Sequence, residues 1–419
     1  MYISLQNAPK EAPAAAGRRA GGRTVSSTVI TLGVVSMLTD ISSESVSAVL
    51  PLYITGMLGL STIAFGFLDG LYQGVSALVR VGAGYTSDRS DRPKWVAFAG
   101  YALAAVARAG LLVWTGFGAL IAVITADRIG KGIRTAPRDV LITATSDPER
   151  LGHAFGVHRM LDNIGAALGP LIAFVILLVI PDGYTTVFAA SFAFAVIGVV
   201  ILALIVPNVR ARRAAAAQRA PRFSWREIAQ GRMRRVLAAA GMLGLLTIGD
   251  GFVYLVLQAR SDFAAQWFPL LYVGTNVAFL AFAIPLGRLA DRVGRARVFV
   301  MGHLGLLAAY VMAVLPVADI AATLLCLLFL GAFYAATDGV LSALASELTT
   351  PATRGTGIAA AQTVVAISRF VSAAAFGVLW FAVGREVSLL IVAALLVVAV
   401  PTVAVILRPL LRRRETEQA

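Results

Sequence analysis

The chain has 419 residues, 58% of them hydrophobic and 14% charged, with a mean hydropathy of +0.82. Such a composition excludes a water-soluble protein of this length and points to a helical membrane protein. The formal net charge of +14 raises nucleic acid as a partner, but the basic residues cluster in the segments between apolar runs, so membrane lipid is the expected partner and nucleic acid is not.

A helix needs about 20 apolar residues to cross a bilayer. Runs of that kind predict twelve spans, at 28–56, 62–83, 95–114, 118–140, 156–180, 186–207, 236–257, 266–286, 298–316, 319–341, 358–381 and 386–408. Residues 1–27 are polar and Ala-rich, without the apolar core of a signal peptide, and are expected to form a disordered cytoplasmic tail. Arginine and lysine recur in that tail, after the second and eighth spans, between the sixth and seventh, and in residues 409–419. The alternate loops carry almost none, with Arg260 and Arg385 as exceptions. This positive-inside pattern places both termini and the central segment in the cytoplasm, on a multi-pass protein of the cytoplasmic (inner) membrane. Residues 208–235 hold nine arginines and one acid, Glu227, and are expected to be a basic linker with a short interfacial helix around Phe223, Trp225 and Ile228. Cys326 lies alone inside a span, so neither a disulfide framework nor a cysteine metal site is expected, and no metal or cofactor is called for.

A short loop occurs twice. Gly84-Tyr-Thr-Ser-Asp88-Arg89-Ser-Asp91-Arg92-Pro-Lys94 follows the second span, and Gly287-Arg-Leu-Ala-Asp291-Arg292-Val-Gly294-Arg295-Ala-Arg297 follows the eighth. Gly152 after the fourth span and Gly355 after the tenth stand at the same offset as Gly84 and Gly287. The chain therefore reads as one half copied into a second, 28–207 and 236–408.

Ionisable residues inside spans are costly and mark function. In the first span Ser36, Asp40, Ser43, Glu44 and Ser47 recur every three or four residues and share one helix face. Asp40 is about 18 Å in from the start of its span, near the bilayer centre. The second span carries Asp69, Gln73, Ser76 and Arg80; the fourth carries Asp127, Arg128, Lys131, Arg134, Arg138 and Asp139. The fifth opens with His158, Arg159, Asp162 and Asn163, the seventh has Thr247, Asp250, Tyr254 and Gln258, and the tenth Tyr334, Thr337 and Asp338. Arg128 stays charged at mid-membrane and needs a carboxylate or an anionic ligand; Asp40 is its expected partner and Glu44 the next. The alternative for each of these arginines is a permanent ion pair that fixes helix packing.

The repeated loop resembles the signature of the major facilitator superfamily, with Asp91 and Pro93 departing from it in the first copy and Ala296 in the second. That resemblance implies an all-α membrane protein of twelve helices in two pseudo-symmetric six-helix bundles. It also implies a central cavity lined by the first, fourth, seventh and tenth spans, here expected to use Asp69, Gln73, Lys131, Asp162, Asp250, Tyr254, Tyr334 and Asp338. Arg128-Ile-Gly-Lys131-Gly132 resembles a second family motif, whose arginine is associated with proton transfer in proton-coupled members. On that basis Asp40, Glu44 and Arg128 are the proton-coupling candidates. Gly165-Ala-Ala-Leu-Gly169-Pro170 is similar to the antiporter motif of the fifth span, without the paired glycines that usually follow; close helix packing is its simpler role. In the loops, Gly84, Asp88, Arg89, Arg92, Gly287, Asp291, Arg292, Gly294 and Arg295 are expected to hold one alternating-access state, with Asp139 available to the loop arginines.

The function implied is a secondary transporter, a monomer exchanging a small-molecule substrate for protons, most consistent with export of an organic solute or drug. The alternatives are uptake of an organic anion and a receptor that no longer transports. An enzyme is not expected. There is no His-Glu-x-x-His and no phosphate-binding loop, and Thr247 breaks the Gly-x-Gly-Asp pattern of an intramembrane aspartyl protease.

Overall fold

The computed structural model describes residues 25–87, 92–147, 150–208, 230–315, 320–350 and 353–411, with backbone only at 77, 78 and 80–87. The expected interfacial helix of the linker, and Asp88 and Arg89 of the first loop, lie outside the described residues.

Helices stand at all twelve predicted places. Ser27–Leu52 forms the first span and is extended by a π-helical turn, Tyr53–Met57. Thr62–Ser87, Pro93–Val113, Phe117–Thr145, Leu151–Val179 and Tyr184–Leu204 complete the first bundle. The second bundle starts with a broken span, Gly231–Gly244 then Asp250–Ser261. It continues with Pro269–Val293, Arg295–Val314, Ile320–Glu347, Arg354–Val383 and Arg385–Ile406. The fourth, fifth, tenth and eleventh helices run several residues past their apolar windows, because backbone hydrogen bonding continues beyond the point where hydropathy falls.

Nine described helices are long and apolar enough to cross a membrane. The second, fourth and seventh spans fall short of that measure, and they carry ionisable stripes. Their polar faces turn to other helices instead of lipid. Lipid-facing positions are filled by residues such as Val106, Leu204, Ile320 and Phe381, all more than two-thirds exposed in the isolated chain.

The two bundles repeat one packing scheme. The first span packs on the fifth and sixth as the seventh packs on the eleventh and twelfth. The third meets the fourth and sixth as the ninth meets the tenth and twelfth, and the second meets the fourth as the eighth meets the tenth. Across the seam the second span packs on the eleventh, and the fifth on the eighth, which are exchanged by the same pseudo-two-fold relation. The fold is therefore two pseudo-symmetric six-helix bundles.

The seam is tightly packed at the end away from the chain termini. Thr62 Oγ1 donates to the Gly377 carbonyl at 3.1 Å, and a Cβ on Gly66 would sit 3.0 Å from the Gly377 Cα. Beside this contact Phe252 stacks edge-on with Phe65 and Phe376, at centroid distances of 4.6 and 4.9 Å, and lies 5.5 Å from Trp380. On the other flank Phe174 lies 5.3 Å from Trp267. Aromatic rings from both bundles thus plug that end.

Candidate functional site

The charges of the first bundle form two groups with different character. In the first, Asp127 is 3% exposed and receives guanidinium groups from two sides. Arg108 Nη2 lies 2.9 Å from Asp127 Oδ1, and Arg128 donates through Nε at 2.8 Å and through Nη2 to Oδ2. Arg108 also donates to Ser42 Oγ at 3.3 Å and Ser43 Oγ at 3.0 Å, tying the third span to the first. Arg128 stacks on Tyr72 at 3.8 Å. Arg128 is thus paired with Asp127, not with Asp40 or Glu44 as its depth suggested. Sharing one turn of helix, the adjacent side chains of 127 and 128 curl onto each other and onto Arg108, which the sequence reading left out.

The second group surrounds Asp40. Its nearest cation is Arg134, at 3.7 Å. Asp162, Lys131 and Glu44 also face it. Asp162 accepts a bond from Ser36 Oγ at 2.5 Å, and Ser36 accepts one from Arg138 at 3.1 Å. Arg138 in turn binds Asp139 at 3.1 Å. Arg134 stacks over Tyr101 at 4.6 Å, and its Nη1 is buried with no hydrogen-bond partner. This group is loose and asymmetric where the Asp127 group is tight.

The first span reaches the fifth at Gly165 and Gly169. A Cβ on Gly165 would press on the Met37 backbone, and one on Gly169 would lie 2.8 Å from the Ser45 nitrogen and 2.9 Å from Glu44 Cβ. Pro170 follows inside the same helix. Small residues here let Asp162 approach Asp40, which is the packing role open to this motif.

Between the bundles lies a cavity of about 300 Å³. Asp69, Gln73, Asp250, Tyr254, Tyr334 and Asp338 all line it, together with Glu44, Tyr272 and Arg369. A second cavity of about 250 Å³ adjoins it, sharing Gln73, Asp338 and Arg369. Lys131 and Asp162, expected in the cavity, are instead in the group around Asp40. Both lie on the helix faces that meet within the first bundle.

The break in the seventh span builds the cavity wall. A continuous helix over 236–257 was expected, but residues 245–249 leave the helix and Gly249 takes an extended conformation. Asp69 fills the space a Cβ at Gly249 would need. Tyr310 repairs the broken ladder: its hydroxyl accepts from the Ile248 N–H at 2.9 Å and donates to the Leu246 carbonyl at 3.1 Å. Asp250 then opens the outer half-helix and accepts from Tyr334 Oη at 2.7 Å. Arg369 pairs with Asp338 at 3.5 Å and lies over Tyr334 at 5.4 Å. Neither Arg369 nor Tyr272 was singled out from sequence. Arg369 was open to the rule that flagged Arg128, since it is an ionisable residue inside an apolar span.

At the terminus end, Gly294 adopts φ +107° and joins the eighth helix to the ninth, a conformation that only glycine takes without strain. Arg295 binds Asp291 at 3.1 Å and Glu347 at 2.7 Å, the latter at the end of the tenth span. Gly84 and Gly287 are in the helical backbone of the second and eighth spans, Arg92 precedes the third helix, and Asp139 is engaged by Arg138.

The family model described as Major Facilitator Superfamily matches residues 32–276 and 257–419. The chain belongs to the Major Facilitator Superfamily. It is 29% identical over 371 residues to an uncharacterized MFS-type transporter of Methanocaldococcus jannaschii, covering 85% of this chain and 89% of the relative. An uncharacterized protein of Mycobacterium tuberculosis is 33% identical over 147 residues, 34% of this chain and 35% of that one. Among solved structures, the nucleoside transporter NupG superposes with a TM-score of 0.76 at 15% identity, over 91% of this chain and 99% of the other. A bacterial homolog of the human lysosomal transporter Spinster, inward-facing and unoccupied, gives 0.74 at 14% identity, over 94% and 99%. At those identities the likeness carries the fold alone. Membership of this family makes the chain a multi-pass membrane protein of a transporter class.

Proposed function

We propose that this protein is a secondary active transporter that works by alternating access as a monomer and exports a small organic solute in exchange for protons. It would lie in the cytoplasmic membrane with both termini and the 208–235 linker inside. The observation that carries the reading is the position of the cavity: it sits on the seam, with carboxylates from both bundles, under an aromatic plug at the end away from the termini. A site shared by two bodies changes its surroundings when they rock, which is what alternating access needs.

Proton coupling is assigned to Asp40, with Glu44 beside the cavity and Asp162 and Arg134 around it. Burial favours the neutral form of a carboxyl group and a nearby guanidinium favours the charged form, so moving Arg134 relative to Asp40 converts a conformational change into proton uptake or release. Arg128, locked on Asp127, acts in this reading as a brace. Export, rather than uptake, is favoured by the Gly165–Gly169–Pro170 packing and by a cavity lining richer in carboxylates than in cations.

The test is gradient-driven transport in everted membrane vesicles. Asp40→Asn should abolish uphill transport while leaving solute exchange in place. Undiminished uphill transport in both Asp40→Asn and Glu44→Gln removes the coupling assignment.

A further inference from the structure

The cavity on the seam has a chemistry that selects the charge of its substrate. Four carboxylates line it, Glu44 and Asp69 from one bundle and Asp250 and Asp338 from the other, against one guanidinium, Arg369. Arg369 is already met by Asp338 at 3.5 Å and by the ring of Tyr334. Behind the lining residue Tyr72, Arg128 is buried and held by Asp127. Glu44, Asp69 and Asp250 therefore face the cavity without an ion pair to any described residue, and even with two of the four carboxyls protonated the lining stays net negative.

Asp69 Oδ2 is buried without a hydrogen-bond partner, in the space a Cβ at Gly249 would need. A carboxylate at the wall of a substrate-sized cavity with no ion pair of its own favours a cationic ligand. Four tyrosines and Phe279 also line the cavity, beside Ser47, Gln73, Thr275 and Asn276. Tyr254 and Tyr272 meet edge to face at 4.6 Å, and Tyr254 is pinned by its bond to Thr275 at 2.7 Å. Ring faces attract a cation without supplying hydrogen bonds, so they suit an alkylated ammonium group more than a hydrated metal ion. Among the described residues no three His, Cys, Asp or Glu side chains converge as metal ligands would.

We propose that this cavity binds a monovalent organic ammonium ion, its charged head between Asp69 and Asp250 and its apolar body against Tyr254 and Tyr272. The inference rests on the transporter reading above and names its substrate class. Since the two carboxylates come from different bundles, the bound cation also bridges them and favours the state in which they are close.

The experiment uses the purified full chain in detergent and three probes of similar shape. These are benzyltrimethylammonium, its neutral isostere neopentylbenzene, and the anion phenylacetate. The ammonium ion is expected to bind at least tenfold more tightly than either other probe. Asp69→Asn and Asp250→Asn should each weaken it tenfold or more while leaving neopentylbenzene unchanged. Should those variants fold poorly, Tyr272→Leu supplies a second reading, because it should lower the preference for the cation over the neutral isostere, whereas Tyr272→Phe should keep it. Phenylacetate binding more tightly than the cation, or cation binding indifferent to all of these substitutions, overturns the proposal. Counterflow in proteoliposomes separates the two readings. Exchange of phenylacetate without exchange of the cation leaves the transporter standing and removes this inference. Cation binding that obeys the substitutions but supports no counterflow does the reverse.

Discussion

Asp69 of the second span lies against Gly249 at the break of the seventh, so that one residue of each bundle fixes how closely the other can come. Neither residue explains itself alone. The glycine is there because a methyl group would strike the carboxylate, and the carboxylate can be there because the opposite helix is interrupted.

That contact gives a first prediction. Gly249→Ala should destabilise the protein by about 1–3 kcal/mol through overpacking. In an Asp69→Ala background the same change should cost much less, because the colliding group is gone. Thermal melts of the four proteins of this double-mutant cycle check it; additive losses would show that the two residues do not touch.

The Asp127 group should behave as a brace. Removing one partner of a buried ion pair leaves an uncompensated charge, at about 3–5 kcal/mol. Asp127→Ala strands both Arg108 and Arg128 and should lower thermal stability strongly, whereas Arg108→Ala leaves Asp127 paired with Arg128 and should lower it less. Exchange activity should survive in any variant that still folds.

At the terminus end, Arg295 holds Glu347 and Asp291 through partly exposed contacts, and a pair of that kind contributes about 0–1 kcal/mol. That is enough to shift a balanced two-state equilibrium by up to about fivefold. Glu347→Gln should fold and insert normally yet change the distribution of distances between spin labels placed near residues 88 and 291. An unchanged distribution with full transport would mean that this contact does not bias the two states.

The twelve helices and their two-fold repeat were legible because apolar length and a duplicated loop are linear features of the chain. Gly294 could be read for the same reason, since a turn requirement is local. The pairing of charges was not legible. Depth along a helix placed Arg128 level with Asp40, but partner choice depends on rotation about the helix axis, and Asp127 was nearer. Arg108 and Arg369 escaped because each stands alone in an otherwise apolar span and makes no stripe. The break at 245–249 was hidden because Leu245, Leu246 and Ile248 keep the segment apolar, and the residues that pack against it, Asp69 and Tyr310, are far away in sequence. Lys131 and Asp162 show the same limit: both are at cavity depth but turned inward to their own bundle.

Exchange of a solute for protons across this seam is tested most directly by substrate-dependent proton movement in proteoliposomes. The full chain would be reconstituted with a trapped pH indicator and offered cationic, neutral and anionic solutes in turn. At least one solute is expected to drive proton movement opposite to its own, and Asp40→Asn to abolish the proton signal while counterflow of that solute persists. A solute that undergoes counterflow with no proton movement, or a proton signal unchanged in Asp40→Asn and in Glu44→Gln, would contradict it.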